Sequence, residues 1–367
     1  MGTILRRAAA RAFGGILALG LATGGAANAA PPEPIGVVEE LEGRVAELQA
    51  AKAPALEQAR AQHQLGRALA RAARNDEAAA AFEAALEARE AGLPPADPDI
   101  AATLTGLAVV RTGQGRRDEA EALFRRALEI RLRAHGESAP EVATALANLG
   151  ALYVQMQRFD EAAGYFDRAI AIQEKTPGEE LSLLVALANR ASLYERQQKP
   201  EKADAIYQRI LELETRIYGQ ASPQVAAAHT ALADRYRGRG QAAEAEKHYR
   251  RALEILGSAE QAGVGAVARN LEGMGWAARE LGRLDESEQH YRRSLEILES
   301  AIGRDHPALF PILDGYAELL RRMKRPGDAA AFEERAGRLR AAAEAAAAEE
   351  PAAEPGPEPK AAAEPKR

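Results

Sequence analysis

Small and aromatic residues recur along the middle of the chain at a nearly constant interval. A small residue follows an acidic pair in NDEAAAAF, RDEAEALF and FDEAAGYF, and its copies are separated by 41 or 42 residues. A ring follows four positions later in all copies but the last, and a Gly or Ala precedes each copy by twelve positions. The small column comprises Ala78, Ala120, Ala162, Ala203, Ala245, Ser287 and Ala329, and the ring column comprises Phe82, Phe124, Phe166, Tyr207, Tyr249 and Tyr291. A fixed period of this length predicts a chain of stacked structural repeats.

The repeat pattern resembles the tetratricopeptide repeat, in which two antiparallel helices place Leu-Gly, Tyr, Ala, an aromatic residue and Ala at fixed offsets. The third unit matches best, with Leu149-Gly150, Tyr153, Ala162, Phe166 and Ala169. The small residues let the two helices approach closely, and the ring fills the gap beside them. The resemblance implies an all-α fold, a right-handed α-solenoid of about seven antiparallel helix hairpins.

The unit is about eight residues longer than the usual repeat of about 34, which adds roughly one turn to each helix. Four linkers also carry a proline nine residues before the Leu column, where proline can start a helix. These linker prolines are Pro98, Pro140, Pro223 and Pro307. The long unit and its linkers resemble the kinesin light chain subclass of these repeats.

Two positions depart from the pattern. Arg190 occupies the Leu column, so we expect the fourth unit to be locally loosened or the Arg stem to lie along apolar surface with its head in water. Glu333 occupies the ring column beside Phe332, which predicts a polar capping repeat at the end of the stack.

The two ends of the chain differ from the repeats. A basic start, an apolar stretch too short to span a bilayer and Ala27-Asn28-Ala29 predict a secretory signal peptide at residues 1–29. We then expect a linker and capping helix at 30–57, with helical spacing over 37–52, and the repeat array at 58–340. Residues 341–367 predict a disordered Ala/Glu/Pro tail. No stable membrane span is expected after signal removal, and export places the protein in the bacterial periplasm.

Composition and charge exclude several functions. There is no cysteine, which rules out disulfides and thiolate chemistry. Aromatic residues make up only 5%, which favours close-packed helices over a β-sandwich. The net charge of -6 becomes -9 when residues 1–29, with three arginines and no acidic residue, are removed. This balance argues against nucleic acid as a partner.

Catalytic and metal-binding patterns are missing from the sequence. No HExxH, GxSxG or Walker motif occurs. His248 and His290 stand one repeat apart, too far to share a zinc ion, and are interpreted as periodic surface residues. We therefore expect no enzyme activity, no cofactor, no metal and no small-molecule substrate.

The first helices of the repeats are expected to line a concave groove. Helical geometry at 100° per residue identifies the groove face as the side opposite the Leu, Gly and Tyr columns. A basic run at Arg60, Arg67 and Arg71 suits an acidic peptide or anionic polymer, and Trp276 could be an aromatic anchor. Asn148 and Asn189 share one column, where an amide could pair with a peptide backbone, and match groove asparagines of kinesin light chains. The remaining groove candidates are Asp234, Arg237 and Arg279.

Each groove candidate also has a structural interpretation, as a solvated face or, for Trp276, as a wedge between long first helices. The sequence predicts a non-enzymatic protein–protein interaction scaffold of the cell envelope that binds an extended peptide or partner protein in its groove. The alternative is a structural component of an envelope assembly or polymer-export complex, docked through its convex face or ends.

Overall fold

The computed structural model describes residues 35–258 and 263–349. Over these residues the fold is an all-α solenoid of paired helices with no strand, as predicted. The helices are α1 (Ile35–Ala50), α2 (Ala55–Arg71), α3 (Asn75–Gly92), α4 (Pro98–Gly113), α5 (Arg117–His135), α6 (Pro140–Gln155), α7 (Phe159–Gln173), α8 (Glu180–Arg196), α9 (Pro200–Tyr218), α10 (Pro223–Gly238), α11 (Ala242–Ser258), α12 (Val264–Glu280), α13 (Leu284–Ile302), α14 (Phe310–Arg322) and α15 (Pro326–Glu349). Pro307–Leu309 form a short 3-10 turn before α14.

The predicted signal peptide lies outside the described residues, as do residues 350–367 of the predicted tail. The last helix continues past residue 341 to Glu349, since Ala and Glu are strong helix formers. Among the described helices, none combines the length and apolar character that crossing a bilayer requires.

Local sequence signals mark the start of several first helices. Pro98, Pro140 and Pro223 are the first residues of first helices, where the missing N–H of proline costs nothing. The side chain of Asp97 caps α4 by accepting a hydrogen bond of 2.8 Å from the Asp99 N–H. The hydroxyl of Ser222 accepts one of 3.3 Å from the Val225 N–H. These caps satisfy donors that a helix start leaves unpaired.

An arginine at the turn inside the hairpin precedes many second helices and binds the acidic residue three positions later. The pairs are Arg74–Glu77, Arg116–Glu119, Arg158–Glu161, Arg283–Glu286 and Arg325–Asp328, with N···O distances between 2.6 and 2.8 Å for the Nε or Nη1 bonds. The acidic residue also lies in the first helical turn, where the helix dipole favours negative charge.

Rings packed against small residues form the contact between the two helices of a hairpin and the next repeat. The ring of Phe82 lies between Gly66 of its own hairpin and Gly106 of the next, and a Cβ at these positions would lie 3.0 and 2.6 Å from it. Tyr291 lies in the same way between Gly275 and Gly315, with corresponding distances of 2.9 and 2.8 Å. One ring therefore packs between the two helices of its own hairpin and also contacts the first helix of the next hairpin.

Salt bridges reinforce the contact between successive repeats. The turn arginine of one repeat reaches back to a carboxylate on the second helix of the preceding repeat, in Arg158–Glu121, Arg283–Glu246 and Arg325–Glu288 at 3.1, 2.5 and 3.0 Å. Arg74 makes the same kind of contact, 3.0 Å, with Glu42 of α1. These four turn arginines therefore bind both their own helix start and the preceding element of the stack, whereas Arg116, among the described residues, binds only Glu119 of its own helix.

The described chain contains two compact units, and the boundary between Leu213 and Glu214 falls within α9. In the first unit, Val38, Val45 and Leu48 of α1 pack against the core of α2 and α3. In the second unit, Phe332 packs against Tyr316, with ring centroids 4.6 Å apart.

The departures from the repeat pattern occupy distinct environments. Glu333 binds Arg321 at 2.7 Å and leaves the aromatic contact to Phe332. The guanidinium of Arg190 is buried, unlike the solvent-exposed head that the sequence allowed. It binds Asp167 through Nε at 2.8 Å and stacks 4.0 Å from the centroid of the Tyr194 ring.

Replacing Gly150 by Ala tests the ring contact. The added Cβ would lie 2.7 Å from the ring of Phe166, so the helices must separate. We expect a loss of about 1–3 kcal/mol in the free energy of unfolding. Gly164→Ala, on the exposed side of the same hairpin with nothing within 4 Å, should gain about 0.5–1 kcal/mol. Urea unfolding followed by circular dichroism measures both, and equal effects would contradict the packing argument.

Replacing Arg190 by Leu restores the apolar column. Asp167 is exposed and stays solvated, so we expect stability to be unchanged or to rise by about 1–2 kcal/mol. Asp167→Asn leaves the buried guanidinium without its carboxylate and should cost about 1–3 kcal/mol. Thermal unfolding distinguishes the two variants, and a large loss for Arg190→Leu would show that the ion pair is required.

Candidate functional site

The candidate groove residues lie on first helices of both units. In the first unit α2 carries two of them, and α6 and α8 carry one each. In the second unit α10 and α12 carry two each. In chain order they are Arg60, Arg67, Asn148, Asn189, Asp234, Arg237, Trp276 and Arg279. Although all of them lie on first helices, they differ in exposure and in the ion pairs they form.

The α2 surface of the first unit is basic. Arg60 and Arg67 are exposed, and neither forms an ion pair within the described part of the chain. Beneath them, the buried Arg89 donates from Nη1 to the Asp99 carbonyl at 2.7 Å and to the Thr103 hydroxyl at 2.5 Å. We call Arg60 and Arg67 the basic face.

His63 lies between these two arginines and adds no charge near neutral pH. Its ring meets Phe82 edge to face, with centroids 5.4 Å apart, and Nδ1 lies 3.4 Å from the Thr103 hydroxyl. Burial, together with the nearby Arg89 and Arg67, lowers the pKa of His63 to about 4. At pH values well above this pKa, the charge of the basic face therefore comes from arginine alone.

The two asparagines occupy a column that faces rings of the preceding repeat. Gly106, Gly273 and Gly315 fill this column elsewhere and contact such rings. Asn148 is 0% exposed, so its amide belongs to the packing between repeats in this structure. Asn189 is partly buried, and its Nδ2 has no hydrogen-bond partner among the described residues.

Trp276 of the second unit is buried within its own helices. Only 9% of the residue is exposed, and it shares a cluster with Tyr249 and Met274. The guanidinium of Arg237 lies over its ring, 5.4 Å from the centroid, and binds Glu272 with two bonds of 2.6 and 2.8 Å. These contacts agree with the wedge interpretation that the sequence left open.

The other charged candidates of the second unit are neutralised along the stack. Asp234 accepts hydrogen bonds of 2.6 Å from the Tyr249 hydroxyl and from Arg269. Burial, with Asp234 beside it, raises the pKa of Tyr249 and keeps this phenol protonated. Arg279 is buried and binds Glu318 at 2.7 Å. The first-helix face of this unit is therefore a set of internal ion pairs.

The sequence contained a signal for these ion pairs that composition conceals. In both Asp234–Arg269 and Arg237–Glu272 the partners are 35 residues apart, and they carry opposite charges on successive first helices. A scan for opposite charges at that offset finds them.

A second missed feature is the contact between His229 and His248, whose Nδ1 atoms lie 2.9 Å apart. His248 is thus half-buried beside a second histidine rather than a simple surface residue. Within the described residues, no group of three or more His, Cys, Asp or Glu side chains could hold a metal ion.

Comparisons with known proteins agree with the repeat architecture. A family model described as tetratricopeptide repeat matches residues 99–175, 182–258 and 266–342, and a second with the same description matches residues 63–134. A search of curated proteins gives no match.

Similar solved structures include BtubC (BKLC) from P. vanneervenii, at 21% identity and a TM-score of 0.45 over 72% of this chain and 92% of that one. The kinesin light chain TPR-like repeats of Podosopora anserina give 21% identity and a TM-score of 0.47 over 55% and 96%. Aspartyl phosphate phosphatase F from Bacillus subtilis gives 13% and 0.47 over 82% and 74%.

The family models cover more than half of the chain, in the same register as the helix hairpins. Repeats of this kind generally mediate protein–protein interaction and generally lack catalytic activity. The chain belongs to the tetratricopeptide repeat family.

Proposed function

We propose that this protein is an exported, non-enzymatic interaction scaffold of the cell envelope that binds an acidic, extended segment of a protein partner at the basic face of α2. The observation that carries the proposal is the contrast between first helices. Arg60 and Arg67 are exposed without ion pairs, whereas Arg237 and Arg279 are neutralised by glutamates of their own unit.

The free arginines suit recognition of carboxylates. A guanidinium can bind a carboxylate through two parallel hydrogen bonds, which fixes orientation as well as position. Because both side chains are already in water, an incoming acidic segment loses little by pairing with them. Exposed ion pairs contribute only about 0–1 kcal/mol each, so the basic face sets association rate and orientation more than affinity.

The buried candidates have a different role in this proposal. Asn148 and Trp276 are buried within their units, so their substitution would disturb the fold before it tested binding. Affinity in the first unit must therefore come from apolar and backbone contacts along first helices beside the basic face. Asn189 of α8 is only partly buried, but its unsatisfied Nδ2 is enclosed, so this nitrogen is not part of the proposed contact surface.

Reversing the charge of the basic face should weaken binding to an acidic probe. We expect Arg60→Glu with Arg67→Glu to weaken binding of a fluorescent Glu-rich peptide at least tenfold at low salt, because attraction becomes repulsion. Fluorescence anisotropy measures the change, and wild-type binding should itself weaken as salt rises.

The matched control is Arg117→Glu with Arg168→Glu, which alters two exposed arginines of second helices by the same total charge. Equal loss in both double variants would indicate general charge attraction and contradict a site on α2.

Photo-crosslinking in cells separates the groove from the alternative docking mode. A crosslinker at exposed Gln64 of α2 should capture a partner that one at exposed Ala84 of α3 does not. Capture mainly from Ala84 would instead favour docking of a larger envelope assembly through the second helices.

Export is tested independently of binding. We expect the chain isolated from cells to begin at Ala30 and to appear in the periplasmic fraction, because the sequence predicts cleavage after Ala29. N-terminal sequencing and fractionation measure this. A protein that retains residues 1–29 and remains in the cytoplasm would overturn the proposed compartment but not the basic face.

A further inference from the structure

One polar contact interrupts the apolar interior of the fifth hairpin. His229 of α10 stands at the position filled by Leu104, Leu146, Leu187, Leu271 and Leu313 in five other repeats, all of which are buried. It meets His248 of α11, and both rings are partly buried. Two titratable groups therefore replace an apolar contact between the paired helices.

The two rings are placed so that one hydrogen atom lies between the Nδ1 atoms of His229 and His248. The Nδ1 atoms lie 2.9 Å apart and the ring centroids 5.2 Å apart. The centroid distance exceeds the nitrogen distance by twice the radius of an imidazole ring, so both nitrogens lie on the line between the rings. One Nδ1 must carry the hydrogen and donate it, and the other must accept. A metal ion bound to both would need lone pairs that converge away from this line.

We propose that the His229–His248 pair is an acid-sensitive contact that keeps α10 packed on α11 while at most one of the two rings is charged, and releases α10 when both are charged. A neutral pair has one donor and one acceptor. A first proton leaves one ring cationic and still donating from Nδ1 to the neutral ring. A second proton removes the remaining acceptor and sets two cations against each other.

The surrounding groups oppose the second proton. Burial lowers the pKa of His229 to about 4, with further lowering from His248 and Arg251, while Glu254 acts in the opposite direction. Tyr236 of α10 stacks on His248 at 5.6 Å between centroids, and Arg239 lies over the Tyr236 ring at 5.0 Å. From α12, the uncharged Asn270 accepts a hydrogen bond of 2.9 Å from the hydroxyl of Thr230, the residue next to His229.

The sign of the pH effect follows from these directions. The pKa of a histidine in the opened hairpin is its ordinary value of about 6.5, above that of His229 in the closed one. Between these values the opened form binds more protons, so closure is fully stable above about pH 6.5 and weakens as pH falls towards 4. One extra proton in the opened form corresponds to about a tenfold rise in opening per pH unit.

Release of α10 from α11 would also affect ion pairs that charged residues of α10 form. Asp234 and Arg237 follow His229 on α10, and their ion pairs to Arg269 and Glu272 join α10 to α12. Release of α10 would therefore free charges that are paired at neutral pH. This consequence does not depend on the proposed binding at α2.

Hydrogen–deuterium exchange of the full chain, corrected for the intrinsic effect of pH, tests the proposal. We expect protection of amides in α10 and α11 to fall at least tenfold between pH 7 and pH 4.5. In His229→Leu, which restores the residue found in the other repeats, protection should stay within threefold over the same range.

Two further variants complete the design. His63→Gln removes a partly buried histidine from the first unit and should leave the change in α10 and α11 intact. If His229→Leu fails to fold, His229→Met, which also removes the titrating ring and keeps an apolar side chain, serves in its place. Equal loss of protection in wild type and in the folded variant, or no loss in wild type, would overturn the proposal.

Discussion

The contact between an aromatic ring and a small residue is the constraint on which the rest of this fold depends. Phe82 touches Gly66 and Gly106 so closely that a methyl group at either position would overlap the ring. The ring thereby fixes the distance between two helices of one hairpin and the distance to the next hairpin. Because each repeat buries its apolar face only against neighbours, this single contact also sets the register of stacking.

Charge pairing follows the same register. Glu121, Glu246 and Glu288 are each bound by the turn arginine of the next repeat, and the first-helix charges of the second unit pair at a fixed offset. Individual pairs of this type contribute little where they are exposed. Their periodicity matters more, since a shift in register between two repeats would break these pairs together.

The sequence predicts the fold well because the same packing of an aromatic ring against small residues recurs in each repeat, so the pattern can be recognised several times in one chain. Copies of the small and ring columns gave the helix pairs, and the linker prolines gave the starts of α4, α6 and α10. Exposure was harder to predict. Asn148 and Trp276 lie on the face that helical geometry assigns to the groove, yet each is covered by a neighbouring repeat. Helical periodicity specifies the direction of a side chain on its own helix, whereas burial depends on what the next helix places opposite it.

Positions where a residue departs from the repeat pattern therefore indicate local contacts that the repeat pattern does not predict. A leucine position occupied by Arg190 acquires a carboxylate and a ring as partners, and one occupied by His229 acquires a second histidine. Both substitutions replace apolar packing, which is insensitive to pH, by contacts that depend on charge. Histidine is the side chain whose charge changes most readily near physiological pH, so the fifth hairpin is a place where proton concentration can act on the described repeats.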